Sequence, residues 1–312
     1  MLYGIIVHII HSNTFIMAIK RILIPTDFSE TAQMAIAHGG YMAKLFKAKI
    51  YLMHSIESAV YGGLPVEMVP ILEEEHPDQL TEQKLNHLAD GIVNKYNVEI
   101  DTVTIAGIPV RGIEKAVMDN NIDLIVMGTH GANGFEEYFL GSNTLKVVNN
   151  APCPVISVQM FAKRVGFSNI IMPIDNDLHS RQKVNNVIEL AKVYKSTVHI
   201  LGLLETDDVV DEKKFEIKLN TVEHVIKHSN ITYTRKLIRG NNLAIEAMNY
   251  SKEVGGDLIV IMTGHESDIP GMFLGAFAKH IVNHSKIPVM SIVPEATTIE
   301  TFDPAGGTGV II

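Results

Sequence analysis

Residues 20–57, KRILIPTDFSETAQMAIAHGGYMAKLFKAKIYLMHSIE, lie without gaps on residues 168–205, SNIIMPIDNDLHSRQKVNNVIELAKVYKSTVHILGLLE. Pro25 meets Pro173, and Asp27 meets Asp175. Further on, NNIDLIVMG at 120–128 answers VGGDLIVIM at 254–262, and CPVISV at 153–158 answers IPVMSI at 287–292. The offset between the copies falls from 148 residues to 134, so the second copy is shorter in the middle. There the first carries EMVPILEEEHPDQLTEQKLNHLADGIVNKY. One fold is used twice in this chain.

Each copy alternates short β-branched runs with longer stretches of period about 3.6, the pattern of βαβ units and a parallel sheet. In copy one this predicts strands near 21–25, 49–55, 99–105, 122–128 and 154–158, with helices in the intervals. The near-continuous apolar character of DLIVMG and PVISV fits strands covered on both faces. The fold class is therefore α/β, with two small doubly wound domains of five strands each. In such sheets ligands sit beyond the carboxyl ends of the strands, where the strand order reverses. Asp27 and the glycine-rich stretch after residue 126 fall on that edge. Both PVISV and PVMSI are apolar and begin with proline, and are expected to pair about a local two-fold as an internal pseudo-dimer.

Composition narrows the function classes. At 312 residues, with 46% hydrophobic and 20% charged residues, the chain can bury cores for about two domains. The formal net charge is −9 and no run of Lys or Arg exceeds two, which disfavours a nucleic-acid or anionic-membrane partner. The single cysteine, Cys153, excludes an internal disulfide and fits a reducing, cytoplasmic compartment. The opening MLYGIIVHIIHSNTFI has no basic region and is too short to span a bilayer, so residues 1–17 are set aside as an extension. The Gly- and Pro-punctuated residues 295–312 read as a loose tail.

The stretch VMGTHGANGFEEYFLGSNTLKVV, 126–148, interrupts an apolar strand with glycines before a helix resumes. Gly128 and Gly131 stand three apart, nine residues separate Gly131 from Gly141, and Ser142 follows. N–H groups at a helix start can face an anion with the helix dipole behind them, and glycines permit close approach. Ser142 and Thr144 would add hydroxyl donors. On spacing alone, a phosphate cradle and an ordinary glycine turn remain equal alternatives.

These residues resemble the universal stress protein family, in its tandem form, over about residues 18–160 and 166–294. The family's nucleotide pattern is Gly, two residues, Gly, nine residues, Gly, then Ser or Thr, and copy one matches it in full. ILIPTDFSE at 22–30 resembles the family's opening strand and acidic turn. The resemblance implies a Rossmann-like domain with strand order 3-2-1-4-5 and ATP, with or without Mg2+, across the strand ends. It places Pro25, Thr26 and Asp27 near the adenine and ribose, Ser55 beside the base and Met127 nearby. Gly128, His130, Gly131, Gly141, Ser142, Asn143 and Thr144 would surround the ribose and phosphates. Copy two departs: Met262 and His265, or Thr263 and Glu266, stand for the first two glycines, and Gly275-Ala276 for the Gly-Ser pair. The implied function is an ATP-binding regulator of a stress response or signal, with nucleotide in copy one only and an unidentified protein partner.

Other signals weigh less. His224 with His228, and His280 with His284, have the i,i+4 spacing of helix-borne metal ligands, but a metal site needs further ligands and the pairs read as solvated helix surface. Glu73-Glu74-Glu75 reads as a solvated face. No Walker A, Gly-x-Gly-x-x-Gly or Gly-x-Ser-x-Gly pattern occurs. Two alternatives stay open: an ATP hydrolase or adenylyl-transfer enzyme using His130, Asp27 and a divalent ion, and a nucleotide-free interaction scaffold. Pairing of two chains as a homodimer is left open by the sequence.

Overall fold

The structure is a computed structural model that describes residues 19–56, 79–129, 141–162, 164–205, 209–263, 274–294, 300–302 and 308–310. The extension 1–17, the acidic run at 73–75 and the loop positions His130, Gly131, His265 and Glu266 lie outside the described residues.

Copy one runs β1 (Arg21–Pro25), α1 (Glu30–Phe46), β2 (Lys49–Ile56), α2 (Gln79–Tyr96), β3 (Ile100–Ala106), α3 (Pro109–Asn120), β4 (Leu124–Gly128), α4 (Ser142–Asn150) and β5 (Val155–Val158). Copy two runs β6 (Asn169–Ile174), a 3-10 turn (Leu178–Arg181), α5 (Val184–Tyr194), β7 (Thr197–Leu204) and α6 (Val209–His228). It continues through β8 (Tyr233–Arg239), α7 (Leu243–Glu253), β9 (Leu258–Met262), α8 (Ala276–His284) and β10 (Val289–Ile292). Strand bounds fall within two residues of those expected for copy one.

All ten strands form one sheet in the order β3-β2-β1-β4-β5-β10-β9-β6-β7-β8. Each half thus has the order 3-2-1-4-5. Pairing inside each half is parallel, and the halves meet where β10 runs antiparallel to β5. Val289 faces Ser157, Met290 faces Ile156 and Ser291 faces Val155. The expected pairing of PVISV with PVMSI is thus the seam of the sheet. In the tail, Glu300–Phe302 (β11) pairs antiparallel with Thr308–Val310 (β12).

Alternation along the strands divides the interior into two cores, one on each face. Ile22 and Ile24 of β1 join α1, α2, α5 and α6 on one face, through Ala35, Leu85, Val187 and Phe215. Leu23 joins α3, α4, α7 and α8 on the other, through Ile113, Val147, Ala247 and Ile281. Both cores pass from copy one to copy two without a break, so the seam is as dry as the centre of either half: Ile156 and Met290 are fully buried.

The repeated DLIV words have a local cause. Asp123 Oδ2 accepts from the backbone N–H groups of Lys20 and Arg21, both at 2.8 Å. Asp257 does the same for Ser168 and Asn169, again at 2.8 Å. A carboxylate in front of β4 or β9 therefore fixes the start of the neighbouring β1 or β6, with charge-assisted bonds to groups that precede the sheet ladder.

Where α1 meets copy two, the His38 ring stacks on Phe167 at 5.7 Å and its Nε2 lies 3.1 Å from the Ala162 carbonyl, which requires that nitrogen to carry the proton. Tyr194 packs on Phe167 and Tyr41 beside it. Burial pushes the His38 pKa below its ordinary 6.5, because a charged imidazolium is poorly solvated there. The folded state then favours the neutral ring. The resulting stability is complete above the unfolded pKa of about 6.5 and is lost as pH falls toward the lowered folded value. Denaturation midpoints measured from pH 7.5 down to pH 5 should fall more for the wild type than for His38→Gln, which keeps a donor and cannot charge.

Candidate functional site

The carboxyl ends of β1 to β4 gather the copy-one candidates along one sheet edge. Pro25 ends β1, and the Thr26 N–H donates to Met53 O at 2.8 Å, so the chain leaves the sheet beside β2. The buried Thr26 Oγ1 accepts from Phe28 N at 3.0 Å, and Asp27 Oδ1 accepts from Ser29 N at 3.0 Å. Phe28 takes φ 64°, a left-handed turn between the two bonds. Ser29, not Asp27, caps α1: its Oγ accepts from Ala32 N. Asp27 therefore belongs to an Asx turn that presents it at the strand end.

His54, which the sequence reading passed over, holds this turn. Its Nδ1 is 2.7 Å from Thr26 O, and its ring centroid lies 4.7 Å from that of Phe28. A histidine directly before Ser55, with Gly202 at the matching place in copy two, was the available signal. Ser55 itself donates to Gly107 O at 3.0 Å, tying β2 to the exit of β3. Met127 is buried in the core beneath α3 and α4.

At the end of β4 two of the candidates have packing roles. A Cβ on Gly128 would lie 2.9 Å from Thr31 Cγ2 and 3.0 Å from the Thr31 carbonyl carbon, so its lack of a side chain serves the close approach of α1. Thr144 is buried and donates to Gly128 O at 2.9 Å. That bond fastens α4 to β4. The Gly141 N–H donates to Thr129 O at 2.7 Å, and Gly141 begins α4 with no side-chain cap. The N–H groups of the first turn, at Ser142, Asn143 and Thr144, have no carbonyl inside the helix to meet. Ser142 is exposed and Asn143 half-buried at this opening.

Copy two repeats the acidic turn and changes what surrounds it. Asp175 Oδ1 accepts from Asp177 N at 3.1 Å, the counterpart of the Asp27 bond. Asp177 Oδ1 then accepts from His179 N at 2.6 Å and caps a 3-10 turn, while the α-helix waits until Val184. Met262 stands at the position of Gly128, in a copy whose helix begins later.

The remaining candidates make local contacts. Burial pushes the Cys153 thiol up to about 12, so it is no thiolate nucleophile. In each histidine pair the later Nδ1 meets the backbone carbonyl of the earlier residue, at 2.7 Å for His228 and 3.0 Å for His284. Among the described residues no group of three or more His, Cys, Asp or Glu could hold a metal ion, and no helix is long and apolar enough to cross a membrane.

The profile of the universal stress protein family matches residues 18–159 and 166–292. A universal stress protein of Methanocaldococcus jannaschii is 34% identical over 145 residues, covering 45% of this chain and 82% of the relative. A second from the same organism is 32% identical over 154 residues, covering 45% of this chain and 94% of the relative. A solved universal stress protein from Archaeoglobus fulgidus superposes with a TM-score of 0.67 at 18% identity, covering 87% of this chain and 97% of the other, a likeness of fold.

Gly128→Ala should destabilise the ligand-free protein by about 1–3 kcal/mol through overpacking against Thr31. Urea unfolding of the ligand-free protein checks this, and an unchanged midpoint would remove the packing explanation.

Proposed function

The chain belongs to the universal stress protein family, and from that premise we propose that it binds ATP in copy one and acts as a nucleotide-responsive regulator in the cytoplasm. The observation that carries this reading is the contrast between the two crevices. In copy one, the Asp27 turn, the end of β4 and the uncapped start of α4 share one edge, with Ser142 and Asn143 at the opening. In copy two, Ala276 and Phe277 stand at those last two places, and Met262 replaces Gly128.

The chemistry follows from the groups present. The Asp27 carboxylate suits a ribose hydroxyl or the adenine amine, with His54 keeping its turn in place. The α4 start offers backbone N–H groups and the Ser142 hydroxyl to the phosphates, favoured by the positive end of the helix dipole. Gly131 would let the loop approach the phosphates, and His130 would contact them. Mg2+ would be carried by the phosphates, since the described residues supply no cluster of protein ligands. None of the described groups at the opening is an arginine or an evident general base, so the site is suited to holding ATP rather than cleaving it. A protein partner reading the loaded state completes the regulator.

Mass spectrometry of nucleotide released from gently purified protein should find ATP, and calorimetry should find one site per chain. Gly131→Val should abolish binding, and Ser142→Ala should weaken it by about 0.5–3 kcal/mol. Ala276→Ser in copy two should change nothing. Two sites per chain would overturn the asymmetry. ATP turnover of about 1 per second or faster with Mg2+ would favour an enzyme instead.

A further inference from the structure

Copy two contains a cavity of about 430 Å3 at the carboxyl ends of β6 and β7. Its lining includes the acidic residues Asp175, Asp177 and Glu205 and the apolar residues Leu203, Leu243 and Phe277. That volume lies in the range of small-molecule sites, and apolar walls with a few convergent polar groups are their usual form.

Comparison with copy one shows which chemistry the lining favours. Asp177 stands at the place of Ser29, His280 at that of Lys146, Phe277 at that of Asn143 and Ala276 at that of Ser142. Each exchange adds a carboxylate, removes a fixed cation or removes a donor at the helix start. All four disfavour a phosphate. The two nearby lysines do not line the cavity. Lys218 Nζ donates to the main-chain carbonyls of Asp175 and Asp177, at 2.9 and 3.0 Å, and Lys183 Nζ to that of Ser180 at 2.7 Å. They brace the turn and offset part of its charge, but they bring no donor into the space. Among the described residues, none of the three lining carboxylates closes an ion pair. The polar lining thus sets these three carboxylates beside the amides of Asn176, Asn241 and Asn242 and the ring of His280, and its fixed charge is negative.

We propose that this copy-two cavity binds a small organic compound bearing a primary ammonium group on an aromatic or apolar body. The ammonium has three donors for carboxylate acceptors, and an ammonium near Phe277 gains from the face of the ring. The body lies against Leu203, Leu243 and Phe277. A bare metal ion fits less well, because no cluster of three or more ligating side chains converges among the described residues. The proposal stands independently of ATP in copy one.

Phenethylamine is the probe, with phenylacetate as the anion of matching shape, each titrated by calorimetry at pH 7 into the full chain with and without saturating ATP. Phenethylamine should bind at one per chain whether or not ATP is present, and equally in Gly131→Val. Glu205→Gln, an exposed position, should weaken it about tenfold, and Phe277→Ala should weaken it separately. Circular dichroism of both variants verifies that they fold. No binding of phenethylamine, phenylacetate binding as tightly, or full affinity retained in both variants would each overturn the proposal. Those outcomes leave the ATP stoichiometry of copy one untouched, so the two readings fail separately.

Discussion

The antiparallel pairing of β5 with β10 is the interaction on which the rest of the molecule depends. Without it, each half would expose a buried-type strand edge and cut two hydrophobic cores at their flank. With it, Ile156 and Met290 are fully buried and both cores run through the whole chain. Pairing in this sense also reverses strand direction at the seam. The carboxyl ends of copy one and copy two therefore point to opposite edges of one sheet, and each crevice is built from its own half alone.

The turn at the end of the first strand shows how one geometry survives on different supports. Asp27 and Asp175 both accept from the N–H two residues on. In copy one the turn is held by Thr26, His54 and the Ser29 cap. In copy two Ser180 Oγ accepts from Asp175 N, Lys218 reaches the turn's carbonyls, and Lys183 lies buried beside Ser180. Burial pulls the Lys183 pKa down to about 8, an indication of what the brace costs in solvation.

The repeat, the strand positions and the seam were legible in the sequence because they rest on local periodicity and on edges that must be covered. The duplicated DLIV marked both halves, although its purpose, a carboxylate holding a strand start 88 to 103 residues away, needed the three-dimensional contact. Gly128 and Thr144 were readable as members of a nucleotide pattern. Their packing roles were not, since Thr31 is 97 residues from Gly128 in the chain and meets it only in the fold. The copy-two cavity was hidden for another reason. A pattern search registers Ala276 and Phe277 as losses and has no means of seeing that substituted residues can line a different space.

The seam also decides how the two halves can change over generations. A symmetric pair made from one gene must carry every substitution twice, so a residue that suits one crevice is imposed on the other. Here the pseudo-two-fold runs within a single chain, and each position is inherited on its own. Methionine can replace glycine at 262 while 128 keeps the glycine that Thr31 demands. Covalent duplication thus turns a symmetric architecture into two separately adjustable surfaces, at the cost only of preserving the four-residue strands that join them.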